Sequence, residues 1–194
     1  MNENKGMWLG GLALLIVAVL GLWWFSASRS GIIGVDSAAT STTGANTAVS
    51  RVDRSSSDVV SIAQSISGAS TFGGWLNSSG VAAQITGKGP YTIFVPTDAA
   101  VAKLKAGTFT NLSAAGKTRF VQYYIVKGRA IDVDAQVSGT IPALSGDDLN
   151  FDNTNNIPLV NSGIVTAQYK ASNGMVYVIN TALVPPEKDP AFEI

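Results

Sequence analysis

Gly89-Pro90-Tyr91-Thr92-Ile93-Phe94-Val95-Pro96-Thr97-Asp98-Ala99-Ala100 holds a turn, a strand and a helix start in twelve residues. Gly-Pro is turn chemistry, and Thr92 to Val95 is apolar enough to be buried on both faces of a sheet. Pro96 stops the strand. Thr97 or Asp98 then caps a helix over 99–105, because both side chains accept from the unpaired amides of a first turn. Asp98 also suits the positive end of the helix dipole. A catalytic Asp98 is the sharper alternative, but the chain supplies no base or nucleophile to work with it.

Upstream, Ser57-Asp58 precedes Val59, Ile62, Ala63 and Ile66, the i, i+3, i+4, i+7 spacing of an amphipathic helix that Gly68 ends. A second helical stretch carries Phe72, Trp75 and Leu76 with Gly80 as its C-cap, and Val81, Ala82 and Ile85 give a short third turn. Downstream, Ser113 caps a helix through Phe120, Val121, Tyr124 and Ile125, with Gly128 just beyond it. The period then shifts towards two. Ile131 with Val133, Leu149 with Phe151, Ile157 with Leu159, Ile164 to Tyr169 and Met175 to Ile179 read as short strands between turn residues. Helices first and strands later predict an α+β fold. The last strand belongs to Ser172-Asn173-Gly174-Met175-Val176-Tyr177-Val178-Ile179-Asn180, closed by Leu183-Val184-Pro185-Pro186.

Composition excludes several functions. The 194 residues carry 13 basic and 13 acidic side chains, no Cys and no His. A neutral chain with scattered cations is no nucleic-acid binder. Without Cys there is no disulfide framework, thiolate zinc site or thioester lipid anchor. Without His the commonest general base and metal ligand are missing. No cofactor is expected.

Met7 to Phe25 is uncharged and apolar, and as a helix its length of about 28 Å matches a bilayer core. Trp8 at one end and Trp23 with Trp24 at the other suit the interfaces. The run exceeds a usual signal-peptide core, so residues 7–27 are expected to be a retained transmembrane helix after a short tail, 1–6. Cleavage near Ser26-Ala27-Ser28 would instead give a secreted protein. Lys5 and Arg29 nearly balance the orientation rule. Residues 28–56, rich in Ser, Thr, Ala and Gly, read as a flexible linker with little to offset its ordering entropy. A globular domain over 57–186 and a tail over 187–194 complete the organisation.

The two quoted blocks, in this order and at these places, resemble the signatures of the fasciclin I domain family, extracellular adhesion and interaction modules. The likeness covers residues 57–186. It implies a wedge of two β-sheets with flanking helices, here preceded by one transmembrane helix, and it makes Thr97, Asp98, Asn173, Gly174 and Tyr177 structural motif residues. Where the family has a Tyr-His pair linked with cell adhesion, this chain has Tyr123-Tyr124. Where the last block usually has His, it has Tyr177. Asn180 stands where the family often has Asp. The implied function is a membrane-tethered surface module that binds a protein, a matrix component or a surface glycan, with its domain on the extracytoplasmic side. Tyr123, Tyr124, Lys127 and Arg129 are the candidate partner contacts.

Other patterns carry less. A membrane-anchored hydrolase would draw on Asp98, Asp132, Asp134 and Asp148, but a glycosidase needs two carboxyls roughly 5–10 Å apart across a cleft, and no such pair is recognisable. Asp147-Asp148-Leu149-Asn150-Phe151-Asp152-Asn153 looks superficially like a calcium loop. It lacks the Gly and Glu of one and reads better as a half-buried strand with acidic outer positions. Lys117, Arg119, Lys127 and Arg129 suggest a basic patch around the central helix, attractive to acidic polymers or lipid headgroups, although a solvated face is the commoner arrangement. Asn77-Ser78-Ser79 and Asn111-Leu112-Ser113 fit the N-glycosylation pattern.

Overall fold

In the computed structural model of the chain, described over residues 49–135 and 138–186, the two quoted blocks become adjacent strands. The strands in chain order are β1 (Ser50–Asp53), β2 (Tyr91–Pro96), β3 (Ile125–Lys127), β4 (Ser138–Pro142), β5 (Asp148–Asp152), β6 (Leu159–Val160), β7 (Gly163–Ala171) and β8 (Gly174–Ile179). The helices are α1 (Val59–Ser65), α2 (Ser70–Ser78), α3 (Asp98–Val101) and α4 (Ala114–Gln122), with a 3₁₀ turn at Val81–Ile85. β2 and β8 run parallel in continuous register, from Tyr91 opposite Gly174 to Pro96 opposite Ile179. The sheet order is β3-β2-β8-β7-β6-β5-β4, and β1 adds in parallel to β7. Parallel and antiparallel pairs together with helices make the fold α+β.

Long β7 joins two sets of strands. Its first residues pair with β6, and Ala167 to Lys170 pair with β1. The β5–β6 and β4–β5 pairs continue outward on one side, while β8, β2 and β3 form the other. Every residue of β2 is buried, as its dense apolar run requires. Ile93 lies opposite Val176, and α1 packs against β2 and β8. Phe94 and Tyr177 alternate away from that pair and stack with ring centroids 5.8 Å apart. Phe72, Trp75, Phe109, Phe120 and Tyr124 form an aromatic chain beneath α2 and α4, with centroids 4.5–6.5 Å apart.

Two glycines make the junction of the blocks possible. A Cβ on Gly174 would lie 1.9 Å from the Tyr91 carbonyl oxygen, and one on Gly89 would lie 2.1 Å from that of Asn173. Neither space admits a side chain, so the turn before β2 and the β7–β8 turn approach backbone to backbone.

Several expectations need correction. Ser50–Asp53 falls within the expected linker 28–56, yet it pairs with β7, so the folded unit starts by Val49. All four β1 side chains are exposed, and the backbone ladder holds the strand. α3 stops at Val101 instead of continuing to Lys105. Leu104 N–H returns to the Val101 carbonyl at 3.0 Å, a tightened turn, and Ala100 is the only buried residue of the helix. α4 stops at Gln122, and Ile125 enters β3 opposite Ile93. Ile131 and Val133 are buried in an irregular segment, not a strand, where Thr92 Oγ1 accepts from Ile131 N–H at 3.0 Å. Exposed Ile157 stands outside β6 because Pro158 lacks a donor for the ladder. β4 was not expected at all. Residues 7–27 and 187–194 lie outside the described residues, and no described helix is long and apolar enough to cross a membrane.

Candidate interaction surface

Tyr123 and Tyr124 close α4, and neither faces solvent. Tyr124 is fully buried, and its hydroxyl donates to the Leu183 carbonyl at 2.6 Å. Tyr123, 3% exposed, donates to the Asp148 carbonyl at 3.2 Å and accepts from Asn161 Nδ2 at 3.0 Å. Burial raises both phenol pKa values above the ordinary 10.0, and the Asn161 amide that donates to the Tyr123 hydroxyl acts in the opposite direction. Both tyrosines tie α4 to the strands and the C-terminal segment. A ring this deeply buried offers a docking partner no surface, so the expected partner contacts reduce to Lys127 and Arg129, which are exposed.

Tyr177, at the second family His position, is also fully buried, and its hydroxyl donates to the Ile131 carbonyl. Burial, then the nearby Asp132 charge, push its pKa up. A phenol thus fixes the irregular 129–135 segment over the sheet through one hydrogen bond.

The motif residues at the turns are structural. Thr97 Oγ1 accepts from Ala100 N–H at 3.1 Å, as a cap of α3 should. Asp98 does something the sequence did not suggest. Its carboxylate reaches α2, accepting from Thr71 N–H at 2.8 Å, Ser70 N–H at 3.2 Å and Ser70 Oγ at 3.1 Å. The α2 N-cap position is Ala69, which has no side-chain acceptor, so Asp98 caps that helix from another element. These bonds, Thr71 foremost, hold its carboxyl below the ordinary 3.8. Asn173 plays a similar part, accepting from Val59 N–H at 2.9 Å and donating to the Gly87 carbonyl at 3.0 Å. Asn180 Oδ1 accepts from Ile164 N–H at 2.9 Å, joining the end of β8 to β7.

Of the four aspartates considered for hydrolysis, three are engaged in hydrogen bonds or an ion pair. Asp98 caps α2. Asp134 pairs with Arg51, both more than half exposed, and Asp132 accepts from Asp134 N–H at 2.9 Å. Asp148 is exposed on β5. The calcium-like stretch is a half-buried strand: Leu149 and Phe151 face inward, and Asp147 accepts from Arg119 Nη2 at 3.0 Å. That pair, 5% and 17% exposed, removes Arg119 from the expected surface patch. Lys117 lies over the Phe109 ring, 5.9 Å from its centroid. Ser113 caps α4 by accepting from Gly116 N–H at 3.1 Å, which gives the second glycosylation-like motif a structural role.

Exposed cations remain at the end of the sheet where β2 begins and β3 ends. Lys127 lies opposite Tyr91, Gly128 N–H donates to the Pro90 carbonyl at 2.8 Å, and Thr92 Oγ1 donates to the Arg129 carbonyl at 2.9 Å. Lys88 is exposed in the turn just before. Beside Arg129 a cleft of about 270 Å³ opens between the 129–135 segment and β4, lined by Ile131, Asp132, Ser138, Thr140 and Phe151.

The sequence profile of the family described as "Fasciclin domain" matches residues 67–185. The chain is 31% identical over 98 residues to the uncharacterized protein sll1735 of Synechocystis, covering 50% of this chain and 74% of that one. It is 34% identical to protein sll1483 of the same organism, over 53% of this chain and 59% of the relative. Against the cell surface glycolipoprotein MPB83 of Mycobacterium bovis it is 35% identical over 50% of this chain, and the match spans 45% of the relative. A solved FAS1 domain pair from the insect cell adhesion molecule Fasciclin I superposes with a TM-score of 0.56 at 14% identity, covering 72% of this chain and 53% of that one. That likeness is one of fold.

Proposed function

This chain belongs to the fasciclin domain family, and on that premise we propose that it is a surface-displayed interaction module, held to a membrane by residues 7–27. Its partner is a surface protein, a matrix component or a surface glycan. The observation that carries the reading is how the polar side chains of the two signature blocks are used. Thr97, Asp98, Asn173, Thr92 and Tyr177 all serve caps, turns and buried hydrogen bonds, and their geometry holds a scaffold together without assembling chemistry. One relative points the same way by its name, a cell surface glycolipoprotein. The hydrolase reading gains no support from aspartates of which Asp98 caps α2 and Asp134 is paired with Arg51.

Protease added outside intact host cells tests this reading directly. The domain over 49–186 should be digested while a cytoplasmic marker survives, and cells displaying the chain should attach to a surface that cells lacking it ignore. A domain protected from external protease, or attachment unchanged by removing the chain, would overturn the reading.

A further inference from the structure

We propose that the cationic end of the sheet, Lys88, Lys127 and Arg129 with the cleft beside Arg129, binds an acidic polysaccharide. The proposal rests on the surface-module reading and names the chemistry of its partner. The backbone bonds described above bring the turn that carries Lys88 beside the end of β3, where Lys127 and Arg129 stand. The ion pairs among the described residues engage Arg51 and Arg119, and none involves these three side chains. Of the carboxylates around this end, Asp134 pairs with Arg51, and Asp132 in the cleft wall accepts from Asp134 N–H at 2.9 Å. Asp53 accepts from Ser55 N–H at 2.9 Å and lies opposite Lys170, while Asp58 accepts from Ser61 N–H at 2.7 Å to cap α1. In a chain of zero net charge, three exposed cations outside any ion pair among the described residues are what a polyanion would find.

The cleft adds recognition to attraction. Ser138, Thr140 and Asp132 offer hydroxyl and carboxylate partners for sugar hydroxyls, Arg129 offers a fork for a carboxylate, and Ile131 and Phe151 supply apolar walls. Its volume holds one sugar ring with substituents. Lys127 and Lys88 then meet the acidic groups of the next units. A membrane surface suits this end less well. Peripheral docking combines cations with inserted apolar side chains, and the exposed large hydrophobic residues among those described are Val52, Ile157 and Val184, none on the 87–90 or 127–129 loops.

The test uses the full chain held in nanodiscs of neutral lipid, titrated with polygalacturonate and with neutral dextran of equal length. Co-sedimentation with vesicles rich in phosphatidylserine is measured in parallel. Polygalacturonate should bind saturably, dextran should not, and affinity should fall about tenfold between 50 and 200 mM salt. Lys127→Glu with Arg129→Glu should abolish binding at an unchanged melting temperature. Lys103→Glu with Lys105→Glu, the same charge change beyond the other end of β2, should leave it intact. Equal losses from both pairs, retention in the first pair, equal dextran binding, or capture by vesicles in place of polymer would each overturn the proposal. Cells that display the domain externally and attach, yet bind no acidic polymer, would sink this inference and leave the surface-module reading standing.

Discussion

Replacing Asp98 isolates one long-range cap. In the folded protein its carboxylate accepts three hydrogen bonds at the start of α2, where Ala69 supplies none. Asp98→Ala leaves the Ser70 and Thr71 amides without that acceptor. The site is partly exposed, so water replaces some of the loss, and the cost is that of a missing N-cap, about 1–2 kcal/mol. At roughly 3 °C per kcal/mol for a domain of this size, melting should fall by about 3–6 °C. Asp98→Asn keeps one acceptor and no charge, and should lose about half as much. The folded-state pKa lies below the ordinary 3.8, so the carboxylate's contribution is present above that value and disappears as pH falls through the folded pKa. Urea unfolding followed by circular dichroism from pH 7 to pH 3 should show the gap between wild type and Asp98→Ala narrowing only at the acid end. A gap at pH 3 as wide as at pH 7, or no gap at pH 7, would refute the capping argument.

Four further outcomes are expected from the same measurements. Gly174→Ala and Gly89→Ala should fail to accumulate as folded protein, because each added methyl meets a backbone carbonyl near 2 Å. Ile93→Ala should cost roughly 2–5 kcal/mol as a fully buried aliphatic in β2, with Val178→Ala costing about 1–3 kcal/mol. Tyr124→Phe should lose about 1 kcal/mol with its bond to Leu183, whereas Tyr124→Ala should unfold most of the protein and so cannot serve as a binding variant. A shortened chain beginning at Asn46 should be about 1–3 kcal/mol more stable in urea than one beginning at Ser57, since only the longer one contains β1 and its ladder to β7.

The readable parts of the fold were those in which a residue's own neighbours decide its state. β2 and β8 are dense apolar runs bounded by Gly and Pro, and α1, α2 and α4 carry caps or apolar spacing within one or two turns. That β2 and β8 pair in parallel was not readable, because most of the domain separates them and parallel register leaves no local mark. β1 is hidden in the sequence for a different reason. Ser50-Arg51-Val52-Asp53 has no buried face, so its strand state depends wholly on the edge that β7 offers. Asp98 reads in sequence as a cap of its own helix, since spacing cannot show that α2, whose Ala69 offers no side-chain acceptor, lies within reach. Tyr123 and Tyr124, adjacent in sequence, would face different sides of a continuing helix. Both are buried because α4 ends at Gln122 and the chain turns into β3.

The same distinction explains why likeness to a family reveals more about scaffold than about partner. Residues that make this chain recognisable are those whose replacement would break the β2–β8 junction, and in the structure they face inward or bind backbone. Partner choice then falls to side chains that the scaffold leaves unconstrained. Lys127 ends β3 opposite Tyr91, and Lys88 and Arg129 stand beside it where the backbone is fixed by Pro90 and Thr92, so their side-chain charges can change without disturbing the strand pairing beneath. Charge at this end is therefore the property most open to change at little structural cost, and reversing it while the fold stays intact separates recognition from stability.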